Sequence, residues 1–116
     1  MNDATPDREK RLSRRRLPKR HVRAYLRLGG LDLGPNVALS LIDLSEAGAC
    51  IAVKEAVPLG REVTVGLEGQ SHARPIPRVG NVVWCKPGED GTFMVGIAFQ
   101  KRLPYNAYLE LTQESR

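Results

Sequence analysis

Two short segments contain the residues whose types and spacing could perform chemistry. The first is residues 14–20, RRRLPKR, in which Arg16 and Arg20 stand four positions apart. Guanidinium groups are planar and permanently charged, and they match phosphate oxygens as well as the O6/N7 edge of guanine. Because Pro18 opposes a helix, we expect a bent or extended segment from which both arginines close on one anionic ligand. The alternative is a solvated basic tail or a non-specific nucleic-acid arm.

The second segment is residues 43–48, DLSEAG. If a strand extends this far, Asp43 and Ser45 point to the same face, because they are two positions apart. A carboxylate there can accept hydrogen bonds from guanine N1–H and N2–H, and a hydroxyl can donate to a phosphate. Gly48 is expected to supply a positive φ, so that the backbone turns sharply beneath a ligand. The alternative is an ordinary serine turn that ends at a glycine.

Motifs for catalysis and for metal binding are missing from the rest of the sequence. His21 and His72 are far apart and have no partner at ligand spacing, and Cys50 and Cys85 do not form a Cys-x-x-Cys pair. Nucleophile elbows, phosphate-binding loops and dinucleotide fingerprints are not found either. We therefore predict that the protein is not an enzyme and that it has no metal site and no cofactor.

Charge is distributed unevenly along the 116 residues. Residues 1–23 contain nine Lys and Arg against three acidic residues, whereas the whole chain has a net charge of only +5. A basic segment on a near-neutral body predicts an anionic partner, which could be nucleic acid, anionic lipid or a phosphorylated small molecule. No apolar run is long enough to span a bilayer and the N-terminus lacks a signal peptide, so we expect a cytoplasmic protein without membrane insertion. Cys50 and Cys85 then fit reduced core thiols.

The pattern of apolar residues predicts a mainly β protein. Residues 1–20 are poor in apolar residues and predict a flexible basic arm, and residues 21–116 form the second unit. From residue 21 on, alternation with period two indicates six short strands near 22–28, 36–44, 49–54, 62–68, 76–85 and 92–100. Pro104 and apolar residues at helical spacing then indicate a C-terminal helix. This order predicts a small six-stranded antiparallel β-barrel with that helix against it.

Taken together, the Arg-x-x-x-Arg pair and the Asp-x-Ser-x-x-Gly segment resemble the PilZ domain family. The resemblance covers residues 14–100 and includes NVVW at 81–84 and MVGIAF at 94–99, which are similar to that family's late strands. It implies a bacterial receptor for the second messenger cyclic di-GMP. The resemblance also implies that Arg16 and Arg20 hold phosphate and guanine edges, while Asp43, Ser45 and Gly48 meet a guanine from the barrel.

Two more site residues follow from the resemblance. Arg15 precedes the first motif, where a basic residue in this family is associated with a stacked pair of ligands rather than one. Trp84 lies where some members place an aromatic residue near the bound base, although a core tryptophan explains it equally well. An alternative register, Arg11 with Arg15, is less favourable because Arg20 directly precedes the first strand.

The output implied by the family is a change at the arm that a separate effector protein recognises, in motility, pilus or biofilm control. The sequence also leaves a homodimer open. Two other functions stay open: a basic-armed barrel that binds nucleic acid, and a pilus or flagellar adaptor that uses this scaffold without a ligand. Nucleic acid is the weaker alternative, because residues 24–116 have a slight excess of acidic side chains and the chain has only six aromatic residues.

Overall fold

The strands of this protein follow the alternation of apolar and polar residues that the sequence shows. The computed structural model describes residues 15–69 and 74–113. It contains β1 (Arg23–Leu28), β2 (Ala38–Leu44), β3 (Gly48–Val53), β4 (Glu62–Glu68), β5 (Ile76–Pro87), β6 (Phe93–Phe99) and helix α1 (Tyr105–Leu111). The predicted six strands and C-terminal helix are therefore confirmed.

All neighbouring strands are antiparallel, in the order β1-β4-β5-β6-β3-β2. The two outer strands of this order come together at a seam, where Val37 N donates to Leu26 O at 2.8 Å. The Asn36 side-chain oxygen accepts from the backbone N–H groups of Leu26 and Ala38, each at 2.9 Å. The sheet thus curls into a nearly closed barrel, as predicted.

The inner faces of the strands form the hydrophobic core. Leu26, Ile51, Val65 and Val95 lie on four different strands and are fully buried. Burial of each such side chain contributes about 1.5–3 kcal/mol to stability. The helix packs against the same core, since it buries Ala107, Tyr108 and Leu111 while Pro104 occupies its N-cap in an extended conformation.

Strand β5 is longer than predicted and contains an irregularity that matters for the site. Its pairing with β6 shifts between Val82 and Trp84, which is a β-bulge. Val82 therefore lies opposite Ile97 and Trp84 opposite Gly96, two neighbouring positions of β6 that face opposite sides of the sheet. The bulge turns Trp84 away from the core, in which Val82 is buried.

The basic arm is described only from residue 15 on, and this part is joined to the barrel by hydrogen bonds. Arg16 forms an antiparallel bridge with Leu44, and Pro18 forms one with Thr112 after the helix. Further bonds join Lys19 N to Leu111 O and Gln113 N to Leu17 O. Residues 16–19 are thus paired through their backbone with the end of β2, with the last residue of α1 and with the chain that follows it. Residues 1–14 lie outside the described residues.

Candidate functional site

Four residues form a row across the outside of the barrel. Asp43 on β2 lies opposite Cys50 on β3, Cys50 lies opposite Gly96 on β6, and Gly96 lies opposite Trp84 on β5. Directly paired residues of antiparallel strands point to the same side of a sheet, so all four share one face. We call this surface, with the Asp43–Cys50–Gly96–Trp84 row at its centre, the site face.

Arg15 joins the site face by an ion pair with Asp43. Its Nη1 lies 2.8 Å from Asp43 Oδ1, and both side chains are partly exposed, at 45% and 28%. The bridge between Arg16 and Leu44 explains why Arg15, and not Arg16, pairs with Asp43. Arg16 lies on the side of buried Leu44, and Arg15 lies on the opposite, outer side with Asp43. Arg15 and Asp43, both predicted as site residues, are thus brought together.

Arg16 and Arg20, the predicted motif pair, do not meet Asp43 in this arrangement. The Arg16 guanidinium stacks on the Tyr108 ring of α1, with its central carbon 5.3 Å from the ring centroid. The Arg16 Nε is buried and has no hydrogen-bond partner among the described residues. Arg20 lies exposed in the turn before β1.

Ser45 lies in the tight turn between β2 and β3, where its backbone N–H donates to Gly48 O at 2.8 Å. Strand β2 ends at Leu44, so the alternation within the strand does not reach Ser45, and a shared face for Asp43 and Ser45 stays a prediction. The Ser45 hydroxyl donates to Gly48 O at 3.3 Å and accepts from Ala47 N at 3.2 Å. At 3% exposure, this side chain shapes the turn, as the alternative of a serine turn predicted.

Gly48 has a different reason to be glycine from the one predicted. It is not among the residues with positive φ. Instead, a Cβ atom at this position would collide with the backbone carbonyl of Ile97 on the neighbouring strand β6. The predicted positive φ is therefore wrong, and Gly48 serves the close approach of β3 and β6 that supports one end of the site face.

Cys50 is buried in the middle of the site face, not in the core. Its neighbours Ala49 and Ile51 belong to the core cluster, whereas Cys50 does not. Burial raises the pKa of the Cys50 thiol, and the Asp43 carboxylate raises it further, while Arg15 and Lys86 act in the opposite direction. Of the two thiols predicted in the core, Cys50 is buried but outside the core cluster, and Cys85 is partly buried and packs against that cluster.

Trp84 and Lys86 close the far side of the site face. The Trp84 indole lies directly over Gly96, so that a Cβ atom there would overlap the ring. Lys86, two residues further along β5, places its ammonium group 5.1 Å from the centroid of the Trp84 ring. The alternative of a core tryptophan is excluded, because the bulge turns the ring outward. The sequence did not single out Lys86, whose only signal is its spacing of two from Trp84.

The surface away from the site face also has hollows, and one of about 300 Å³ is lined by Tyr25, Arg27 and Asp32. A hollow of about 320 Å³ lies at the end of the barrel where Leu28, Val37 and Val57 meet, and it includes none of the predicted site residues. Within residues 15–69 and 74–113, no cluster of His, Cys, Asp and Glu side chains could hold a metal ion. Likewise, no helix in this part of the chain is long and apolar enough to cross a membrane.

Comparison with models of known protein families identifies the family of this chain. A family model described as the PilZ domain matches residues 9–113, nearly the whole chain. A search among curated proteins gives no match.

Proposed function

Since the chain belongs to the PilZ domain family, which is known for binding cyclic di-GMP, we propose that it is a receptor for this dinucleotide. The observation that carries the proposal is the site face: an ion pair, a floor of small residues and an outward aromatic ring in one row across four strands. PilZ domains are binding domains, and the proposed role is recognition without catalysis.

Asp43 is proposed to bind a guanine base. Ionised carboxylates accept two hydrogen bonds side by side, which matches the N1–H and N2–H donors of guanine. The ligand then replaces Arg15 at Asp43. This exchange is feasible because an exposed ion pair contributes only about 0.2–1 kcal/mol, whereas a hydrogen bond to a charged group contributes about 1.5–3 kcal/mol.

The released Arg15 and its neighbour Arg16 are proposed to bind one phosphate of the dinucleotide. Arg16 has a buried N–H without a partner among the described residues, and such a group costs about 1–3 kcal/mol until it finds one. Its stacking on Tyr108 contributes about 0.5–2 kcal/mol in the opposite direction. A phosphate oxygen that accepts a hydrogen bond from Arg16 Nε removes the cost of the unpaired N–H group. This favours movement of the guanidinium from the Tyr108 ring to the ligand. Arg20, exposed nearby, adds a further cation.

Signalling is proposed to pass through the junction of the arm with α1. Pro18 and Thr112 form a bridge, and Gln113 bonds to the backbone of both Leu17 and Pro18. Because Arg16 lies in the same stretch of chain, its movement from Tyr108 alters the surface that this junction presents. We propose that a separate effector protein in the cytoplasm recognises the altered surface.

Binding of nucleic acid is the second candidate, and the basic residues 14–20 are the observation that favours it. The two functions differ in what Asp43 does. A guanine-specific receptor depends on this carboxylate, whereas a phosphate-binding arm gains from its removal, because Asp43 neutralises Arg15.

The test is calorimetric titration of cyclic di-GMP into the full chain at physiological salt, with cyclic di-AMP as the second ligand. We expect a Kd of about micromolar or tighter for cyclic di-GMP and none measurable for cyclic di-AMP, because adenine lacks the N1–H and N2–H donors. Arg15→Ala should weaken binding, and Arg27→Ala, which removes a stacked arginine from another part of the barrel, should not. The number of ligands bound per chain tests whether Arg15 is associated with a stacked pair of ligands or with a single ligand.

Each outcome decides between the candidates. Absence of heat with the wild type contradicts the receptor proposal. Equal binding of both cyclic dinucleotides contradicts the guanine role of Asp43. Tight binding of a single-stranded oligonucleotide, lost at high salt and strengthened by Asp43→Asn, supports the nucleic-acid function instead.

A further inference from the structure

Lys86 is a cation on the site face that belongs to neither motif. It lies opposite Met94 on β6, and Met94 in turn lies opposite Ala52 on β3, so this row runs beside the Asp43–Cys50–Gly96–Trp84 row on the same face. Its side chain is exposed. Lys86 therefore stands at the edge of the floor of small residues, on the side away from Arg15.

The Lys86 ammonium group is available for a ligand. In the part of the chain that the structure describes, Lys86 makes no ion pair, whereas Arg15, Arg27 and Arg102 each contact a carboxylate. It rests instead on the Trp84 ring, 5.1 Å from the centroid. An exposed contact of this kind contributes only about 0.5–1 kcal/mol, so the ammonium can leave the ring at little cost.

Lys86 and Arg15 act on the centre of the site face from two sides. Both charges lower the pKa of the Cys50 thiol, which lies in the middle of the row, so both are within electrostatic reach of it. Asp43, the partner of Arg15, lies on β2, and Lys86 lies on β5. These two strands are three strand spacings apart, which is roughly 14 Å at about 4.8 Å per spacing. A ligand that lies across this row of residues is thus flanked by a cation at either end.

We infer that Lys86 is an anion-binding residue of the site face, which holds the phosphate of a cyclic dinucleotide that lies far from Arg15. This inference rests on the proposed function. Such a ligand carries two phosphodiester groups on opposite sides of its ring, and one basic arm meets only one of them. When Lys86 moves to the second phosphate, it uncovers the Trp84 ring, on which a base can then stack.

The experiment compares cyclic di-GMP binding by the wild type with binding by Lys86→Gln and Lys86→Arg, measured by calorimetry at several salt concentrations. Lys86→Gln keeps the length and polarity of the side chain but removes the charge. We expect a loss of about tenfold in affinity, with a weaker dependence of affinity on salt, because one charge–charge contact is missing. Lys86→Arg should restore both to near the wild-type values.

Arg27→Gln is the matched control, because Arg27 on β1 also stacks on a half-buried aromatic ring, that of Tyr25. Its affinity should stay within twofold of the wild type. If Lys86→Gln also binds within twofold while the wild type binds well, the inference is overturned and the proposed function stands. If the wild type does not bind, both are overturned. A loss with Lys86→Gln that Lys86→Arg does not restore also contradicts a charge-based role.

Discussion

The barrel carries two surfaces that are built alike but differ in what surrounds them. On the site face, Trp84 lies over Gly96 and carries Lys86 on its ring. On the outer face of β1 and β4, which we call the β1 face, Tyr25 lies against Gly66 and carries Arg27 on its ring at 5.2 Å. In both, an aromatic ring packs on the glycine opposite it, and a cation two residues further along the strand covers the ring.

The difference lies in the partners of the cation. Arg27 Nη1 contacts Asp32 at 3.2 Å and its Nε donates to Gly34 O at 3.0 Å, so its donors are engaged within the protein. Lys86 makes no ion pair with any residue that the structure describes. The two surfaces therefore share the stacked ring and cation but differ in whether the donors of the cation are already engaged within the protein.

The strongest contrast between the two faces should come from their carboxylates. Asp43→Ala is expected to weaken cyclic di-GMP binding by about a hundredfold or more, because two charge-assisted hydrogen bonds to guanine are lost. Glu68→Ala on the β1 face, which removes the acceptor of the Tyr25 hydroxyl, should leave the affinity within twofold. Calorimetric titration of both variants checks this. Retained affinity in Asp43→Ala would rule out the site face as the guanine site.

The two glycines beneath the rings should differ by about an order of magnitude. Gly96→Ala places a methyl group where the Trp84 indole lies, so the ring must move, and we expect about a tenfold loss of affinity. Gly66→Ala brings a methyl group to 3.0 Å from Tyr25 Cδ2, a smaller conflict, and should not alter binding. Emission of the single tryptophan reports ring displacement directly. An unchanged spectrum and affinity in Gly96→Ala would contradict a role for Trp84.

When stability is measured in place of binding, loss of the arginine on the β1 face should have a larger effect than loss of the arginine on the site face. Arg27→Gln loses a stacking contact and two hydrogen bonds and should lower the free energy of unfolding by about 1 kcal/mol. Arg15→Gln loses only a partly exposed ion pair and should lower it by about 0.5 kcal/mol or less. Urea unfolding at low and high salt measures both. A larger loss in Arg15→Gln would mean that Arg15 is held too firmly to be released to a ligand.

The smallest expected effect is a change in the ionisation of Cys50. Its pKa is raised above the ordinary 9.0 by burial and by Asp43, so the protonated thiol stabilises the fold below pH 9.0, and this contribution is lost as the pH rises further. Asp43→Asn removes one cause, and the pH midpoint of Cys50 alkylation should therefore move down. Cys85 in the same sample is the reference. An unchanged midpoint would show that the Asp43 charge does not reach the thiol.

Local patterns were sufficient to predict the elements of this fold. The alternation of Val63, Val65 and Leu67 gave β4 with its buried face, and the spacing of Ala107, Tyr108 and Leu111 gave the buried side of α1. These patterns work because a strand or helix repeats its side-chain direction at a fixed period, whatever lies next to it. The chemical character of Arg15 and Asp43 was also evident from residue type alone.

The finer predictions were wrong where they depended on contacts between segments that are far apart in the chain. Strict alternation along β5 would put Trp84 on the same side as buried Val82, and only the bulge against β6 reverses it. Gly48 looked like a turn glycine because a sequence does not show that the Ile97 carbonyl lies beside it. Cys50 looked like a core residue for the same reason, although it lies opposite Asp43 on the outer face of the sheet.

The sequence by itself determined the six strands, the helix, the family and the kinds of side chain available for an anionic guanine ligand. Only the tertiary structure decided which of these side chains meet: Arg15 rather than Arg16 at Asp43, Ser45 inside its turn, and Lys86 on Trp84. The physical reason is that periodicity is set by the local backbone. Register, bulges and close strand contacts are set by pairing between segments far apart in the chain.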